Sequence, residues 1–283
     1  METITASRVR SILPRRDPAS HKGDFGKLLC VCGSVGYTGA PVFASRAAVR
    51  TGAGLVFLAV PEQAWPVVAV KSEEAMPFPL PETAEGRLSL LAEEPIRQRA
   101  ASCDAVLIGC GLGRDRQTDA LVRKLLDIDR PLVLDADGLN ALDGCPEQLQ
   151  RRTAPTVLTP HEGEFLRLGG DLSRGREAAA AAFSRKYGVY LVLKGHRTLV
   201  ADPEGRLAVN ETGNSGMAKG GSGDVLAGMI VSLLGQGCGT FDACCAAVWL
   251  HGRAGDRAAA DKGERGMTPT DLLEHIPYAM KNL

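Results

Sequence analysis

The 283-residue chain lacks an excess of charge of either sign, because Lys and Arg total 33 and Asp and Glu total 33. With no global field to attract nucleic acid or an anionic membrane surface, the expected partner is a small ligand held in a local pocket. Long apolar runs are missing too. No stretch approaches a membrane span, and the first thirty residues carry arginines and prolines instead of an apolar h-region. Of the eight cysteines, none forms a C-x-x-C pair and most lie inside apolar runs. That pattern reads as buried free thiols in a reducing compartment, not as disulfides or a metal cluster. Repeats, low-complexity tracts and linkers are absent, so residues 1–283 are expected to form a single domain of a soluble, cytoplasmic protein.

What the chain does contain is alternation. Short apolar runs at 28–32, 55–60, 105–108, 132–134, 156–158 and 189–193 read as buried strands, each ending in a polar or glycine-rich turn. Helical patterns at 40–50, 115–126, 173–186 and 241–260 lie between and after them. This is the signature of an α/β fold, a mostly parallel sheet with helices on both faces. Runs at 198–201 and 206–209 flank Asp202-Pro203-Glu204-Gly205 and predict a hairpin, which would give the sheet a small antiparallel edge. Thr268-Pro269-Thr270-Asp271 supplies a cap, an early proline and an acid for a last helix.

The densest chemical signal is Gly220-Gly221-Ser222-Gly223-Asp224, followed at once by the apolar helical run from Val225. Glycines ahead of a helix let backbone N–H groups converge on an anion where the macrodipole also favours negative charge. A carboxylate beside such a site would repel phosphate. Either Asp224 takes a proton from an attacking hydroxyl during phosphoryl transfer, or it caps the helix and complements its dipole.

Ligands of open α/β sheets bind beyond the carboxyl ends of strands, so the residues there belong together. They are Gly33-Ser34-Val35-Gly36-Tyr37-Thr38-Gly39-Ala40-Pro41, Gly109-Cys110-Gly111-Leu112-Gly113, Asp135-Ala136-Asp137-Gly138-Leu139-Asn140, Thr159-Pro160-His161-Glu162-Gly163-Glu164 and Lys194-Gly195-His196-Arg197-Thr198. The glycine turns allow close backbone approach or serve structure alone. His161 and Glu164 face one ligand or simply open a helix, and Glu164 suits a water-mediated Mg²⁺ contact. Lys194-Gly195 brings a cation and bare backbone to a polyphosphate. His21, His251 and His275 have no matching partners in sequence and read as structural or surface residues.

His21-Lys22-Gly23-Asp24-Phe25-Gly26-Lys27 followed in order by the 33–41 turn, the Asp135 segment, the His161 segment and the Gly220 loop resembles the ADP-dependent NAD(P)H-hydrate dehydratase family. The resemblance runs from Leu13 through the last helix and implies a ribokinase-like fold. It implies repair of hydrated NADH or NADPH: a nucleoside diphosphate phosphorylates the ring hydroxyl of the S hydrate, and AMP and phosphate are released. By the same resemblance Ala40, Gly111 or Gly113 or both, His161 and Asp224 would contact the substrate. Lys194, Gly195, His196, Arg197, Thr198 and Gly223 would contact the adenine nucleotide, ADP or else ATP, with Mg²⁺. Asp224 would be the base, with Gly221, Ser222 and Gly223 as the anion hole. Family analogy also implies a homo-oligomer, a tetramer, and a separate NAD(P)H-hydrate epimerase as co-worker, because little chain precedes His21 to carry that activity.

Three positions depart from the family pattern: Lys219 replaces a small hydroxylated residue, Cys110 a proline, and Glu162 a proline. Small-alcohol kinases acting on a thiazole or pyrimidine alcohol share the glycine loop and are the second reading, although they commonly carry asparagine where this chain has His161. A nucleotide-binding regulator without chemistry is the third, and the intact Asp224 opposes it.

Overall fold

Strands whose two faces are both apolar must be covered on both sides, and the computed structural model, which describes all residues except 14, 15 and 282, shows how. In chain order the elements are β1 (Glu2–Thr3), α1 (Ala6–Ile12), β2 (Lys27–Val31), α2 (Gly39–Arg50), β3 (Leu55–Pro61), α3 (Trp65–Lys71), β4 (Met76–Leu80) and α4 (Glu93–Ala101). Then come β5 (Ala105–Ile108), α5 (Arg116–Leu125), β6 (Leu132–Leu134), α6 (Asp137–Asn140), β7 (Thr156–Leu158), α7 (Glu162–Arg167), α8 (Arg176–Tyr187) and β8 (Tyr190–Leu193). The chain closes with β9 (Leu199–Ala201), β10 (Leu207–Val209), α9 (Ser222–Gly235), α10 (Thr240–Lys262) and α11 (Pro269–Lys281).

The strands form one sheet in the order β1-β10-β9-β8-β7-β6-β5-β2-β3-β4. Alternate side chains divide the core in two. Leu28, Cys30, Leu107 and Val133 pack with α2, α9, α10 and α11 on one face. Leu29, Val31, Val106 and Ile108 pack with α4, α5, α7 and α8 on the other, where Ala179 and Ala180 of the alanine-rich helix lie close to the sheet. From β2 the chain steps outward to β3 and β4, then returns to β5 on the opposite side of β2. That reversal is the topological switch point, where a crevice opens past the strand ends.

Between neighbours from β2 to β8 the pairing is parallel, and only β9 runs against its partners, β8 and β10. The expected hairpin therefore forms, with Asp202 Oδ1 accepting the Arg206 N–H at 2.7 Å across its turn. It is not the edge, however: β1 adds in parallel outside β10, a two-residue strand too short for any periodic signal. Sequence periodicity also passes over β4, because Met76-Pro77-Phe78-Pro79-Leu80 carries two prolines. Prolines two apart place both missing donors on the same side, and β4 pairs only with β3, so that side is the free edge. The short α1, α3 and α4 were likewise not anticipated. The expected helix at 173–186 begins instead at Arg176, after Gly175 with φ of +89°.

Helix α9 is apolar on nearly every side from Val225 to Leu234 and lies wedged between the sheet, α2 and α10. Gly228 permits its closest approach to α2, since a Cβ there would overlap the Ala44 carbonyl oxygen and lie 2.9 Å from the Ala47 Cβ. Helix propensity alone favours alanine over glycine by ~1 kcal/mol. Overpacking should reverse that sign, so Gly228→Ala is expected to destabilise the fold by ~1–3 kcal/mol. A melting temperature equal to or above that of the parent protein would contradict this packing.

Candidate active site

Asp224 sits in the first turn of α9, directly after a loop whose Gly221 has φ of +102°. A side chain at 221 would be strained and would also meet Phe43 of α2 at 2.8 Å. The loop thus abuts the helix that carries Ala40. Of the three expected anion donors, the Ser222 N–H already bonds to the Lys219 carbonyl at 3.2 Å. Among the described residues no acceptor faces the N–H groups of Gly221 or Gly223, so these are the open donors. The Ser222 carbonyl is held from behind by the Nε2–H of His251 at 2.9 Å. Burial pushes the pKa of His251 down to about 4, which keeps it a neutral donor and fits its structural reading.

Below the loop lies a carboxylate to which sequence reasoning gave no role. Asp135, at the end of β6, is fully buried and accepts from Lys194 Nζ at 2.8 Å, Thr159 Oγ1 at 2.7 Å and Cys110 Sγ at 3.6 Å. Desolvation alone would raise its pKa, but the Lys194 ammonium and these hydrogen bonds hold it below the ordinary value. The Lys194 pKa, lowered by desolvation, is in balance raised by Asp135 and Glu164. Asp224 has no such compensation. Its pKa rises to about 7, chiefly through desolvation and then through the negative charge of Asp135, against smaller opposing effects of Cys110 and Lys194. A solvent-exposed cap would keep an ordinary acid pKa, whereas burial gives Asp224 one near neutrality.

The substrate-side residues expected from sequence converge on the same crevice. Gly111, at φ of +67°, lies against Ala40, whose Cβ is 2.7 Å from the point a Gly111 Cβ would occupy. The Gly33 N–H bonds to the Cys110 carbonyl at 2.8 Å and Ser34 Oγ to the Gly111 carbonyl at 2.9 Å, joining the two glycine turns. The Gly113 N–H donates to Asp137 Oδ2 at 2.8 Å. His161 caps α7: its Nδ1 accepts from the N–H groups of Gly163 at 3.0 Å and Glu164 at 3.3 Å, which places the proton on Nε2. Its side chain remains 54% exposed, open to the crevice. A single parallel bridge links His161 to Lys194.

On the nucleotide side, Lys194 directs its ammonium inward to Asp135 and lies 3.3 Å from where a Gly223 Cβ would stand, beneath the anion loop. Gly195, His196 and Arg197 are exposed. Arg176, which no sequence pattern singled out, shapes this segment by donating to the carbonyls of His196 at 2.8 Å and of Leu193 and Lys194 at 3.2 Å. Thr198 Oγ1 closes the turn onto the Gly195 carbonyl at 3.1 Å, and Arg197 pairs with Glu211 at 2.9 Å.

Each of the three unusual residues has a partner within the chain. Lys219 lies at the surface, where its ammonium donates to the carbonyls of Arg265, at 2.8 Å, and Met267. Glu162 is paired with Arg176 at 3.0 Å, which removes it as a free charge beside an anion. Cys110 contributes a thiol whose pKa is pushed well up by its hydrogen bond with Cys32 and by burial, so it stays a neutral donor. All eight cysteines are free. The ligand atoms of Cys110, Asp135 and Asp224 lie within 4.8 Å of one another, but a thiol and a lysine-paired carboxylate do not suit a hard cation such as Mg²⁺. Glu164 suits it better as an outer-sphere ligand: Oε2 accepts the His161 N–H at 2.8 Å, and Oε1, 3.5 Å from His161 Nε2, is the less engaged oxygen.

A mostly parallel, doubly covered sheet with this glycine loop and acid opening a buried helix defines the ribokinase-like class. The chain belongs to the NAD(P)H-hydrate dehydratase family, whose model matches residues 28–278. It is 46% identical over 285 residues to the bifunctional NAD(P)H-hydrate repair enzyme of Moorella thermoacetica, covering 99% of this chain and 54% of the relative. It thus spans about half the length of the bifunctional relatives it matches. The ADP-dependent (S)-NAD(P)H-hydrate dehydratase of Neisseria meningitidis is 40% identical over 89% of this chain and 83% of its own. The crystal structure of the ADP/ATP-dependent NAD(P)H-hydrate dehydratase of Bacillus subtilis, co-crystallised with ATP/Mg²⁺, superposes with a TM-score of 0.83 at 30% identity, covering 99% of this chain and 98% of that one.

The elevated pKa of Asp224 has a consequence for stability. Its folded pKa, about 7, exceeds the unfolded value near 4, so the folded state holds the extra proton between these limits. The stabilisation is complete below about pH 4 and lost as pH rises through about 7. Asp224→Asn, which cannot ionise, should therefore melt above the parent protein at pH 8, by a margin that narrows toward pH 5. Equal melting temperatures at both pH values would refute the shift.

Proposed function

We propose that this chain carries out ADP-dependent dehydration of the S hydrate of NADH or NADPH, regenerating the reduced nicotinamide and releasing AMP and phosphate. The observation that carries the reading is Asp224, a carboxylate poised near neutrality beside two open backbone donors, in a chain of this family. Hydroxide is a poor leaving group and phosphate a good one. Asp224 takes the proton of the ring hydroxyl as its oxygen attacks the terminal phosphoryl group of ADP, and the phosphoanhydride bond breaks toward AMP. The N–H groups of Gly221 and Gly223 and the buried Lys194 ammonium stabilise the charge on the group in transit. Loss of phosphate, with a proton from the neighbouring ring carbon, restores the double bond.

Ala40, Gly111, Gly113 and His161 hold the hydrated ring, and residues Lys194, Gly195, His196, Arg197, Thr198 and Gly223 hold the nucleotide. Magnesium, when bound with the donor phosphates, offsets their charge, and Glu164 Oε1 is the carboxylate oxygen available to one of its waters. ADP is taken as the donor over ATP on the name of the Neisseria relative, although the Bacillus protein is named for both. A cytoplasmic homotetramer, supplied with S hydrate by an epimerase, completes the reading on family analogy. A monomeric mass by light scattering at micromolar concentration would remove the tetramer from it.

The test is absorbance in the reduced-nicotinamide band when purified protein meets hydrated NADH, Mg²⁺ and ADP or ATP. Recovery of the band is expected, and no turnover with either nucleotide would sink the reading. Phosphorylation of a thiazole or pyrimidine alcohol instead would establish the kinase alternative. Asp224→Asn should lower turnover by ~10²-fold or more, the scale of general-base losses, without weakening ADP binding. The parent pH profile should rise through about 7 and then level off, because the base must be unprotonated. A variant with near-normal turnover would return Asp224 to a capping role.

A further inference from the structure

Two arginines on the substrate side of the crevice have no carboxylate partner. Arg114 follows Gly113 directly, and Arg167 closes the short helix that His161 caps. Both are exposed, and both lean on one residue: Arg114 Nη1 on the Asn140 carbonyl at 3.4 Å, Arg167 Nε on Asn140 Oδ1 at 3.2 Å. Asn140 is itself fixed by its amide donating to Asp137 Oδ1 at 3.2 Å, while Asp137 Oδ2 receives the Gly113 N–H at 2.8 Å. The two guanidinium groups are therefore held by a network that ends on the glycine segment expected to line the substrate.

Arg167 also stands beside His161. Its Nη1 lies 3.7 Å from the point a Gly163 Cβ would occupy, and the His161 ring lies 2.9 Å from that point. Among the described residues neither Arg114 nor Arg167 forms an ion pair, unlike Arg97, Arg176 and Arg197. The nearby acids are engaged elsewhere. Asp115 caps α5 through the N–H groups of Gln117 and Thr118, Asp137 is engaged as above, and Asp119 feels the charge of Arg114 without forming an ion pair with it. Arg87, next to Gly113, differs because its Nη1 is tied to the Val35 carbonyl at 2.7 Å. Exposed guanidinium groups without an ion pair among the described residues suit phosphate oxygens.

We propose that Arg114 and Arg167 form a phosphate-binding fork that anchors the substrate through a phosphate group, next to the wall that holds the ring. Its ligand is a phosphate group of a dinucleotide, either the bridging diphosphate or a 2′-phosphate monoester. The inference rests on the reading of the Gly111–Gly113 and His161 wall as the substrate side. Neither residue is assigned a part in proton transfer, so their loss should act on KM and leave kcat near the parent value.

The experiment compares the parent with Arg114→Gln/Arg167→Gln, with unchanged melting temperature as the folding control, against hydrated NADH and hydrated NADPH. A KM rise of ~10-fold or more for the phosphorylated substrate alone identifies the monoester as the ligand, and a similar rise for both identifies the diphosphate. Unchanged KM values for both overturn the proposal. NADPH and NADH titrated by calorimetry, without hydrate or donor, provide a readout independent of turnover. Were the parent protein to lack dehydratase activity, weakened NADPH binding by the double variant would still support the fork, and unchanged binding would overturn it.

Discussion

The site is organised by the contact between Asp135 and Lys194, a buried carboxylate and a largely buried ammonium 2.8 Å apart. Removing either partner would strand a buried charge, an outcome worth ~3–5 kcal/mol in comparable pairs. The pair is reinforced by Thr159 and Cys110 on the acid and by Glu164, 3.7 Å away, on the base. It ties the end of β6 to the end of β8 across β7. It also sets the electrostatics above it. The lysine offers positive charge to an anion in the glycine loop, and the carboxylate resists ionisation of Asp224. One interaction thus bears on both the glycine loop and the ionisation of Asp224.

The backbone places this pair at some cost in conformation. Ala136, directly after Asp135, has φ of +47°, a conformation uncommon for a residue with a side chain, and Gly109 on β5 passes so close that a Cβ would overlap the Asp135 carbonyl oxygen. Such strain concentrates where a fold must aim groups at a ligand. The glycine turns also join the ends of β2 and β5: the Gly33 N–H bonds to the Cys110 carbonyl at 2.8 Å, and Gly111 lies against Ala40 of α2.

The sequence made the six predicted strands of the parallel core legible because each is a largely apolar run ended by a polar or glycine-rich turn, and those signals are local. It made Asp224 and the glycine loop legible for the same reason. What it hid is set by distance. Nothing adjacent to Asp135 in sequence announces Lys194, which lies at the end of another strand, and Arg176 gains its role only because α8 packs under the 194–198 segment. Strand β4 was obscured by prolines that an edge tolerates, and β1 by being two residues long. Lys219 is a similar case, because at the surface its ammonium meets two carbonyls ahead of α11 that lie more than forty residues away in sequence.

The titratable groups around the loop sort themselves in a way that bears on mechanism. Asp135 is held low by its lysine, and Lys194 is held high by its carboxylates. Cys110 is driven well up by Cys32 and burial, and His251 is driven down to about 4 by burial. Each is therefore fixed in one protonation state at neutral pH: an anion, a cation, a neutral thiol and a neutral imidazole. Asp224 alone in this set is brought to about 7, by the burial and the neighbouring charge that pin the others. Environments that push pKa values apart mark the group assigned to carry a proton and the groups assigned to stay constant. Among these groups Asp224 is the one able to change protonation state near neutral pH, and it does so at the start of α9, next to the open N–H groups of Gly221 and Gly223.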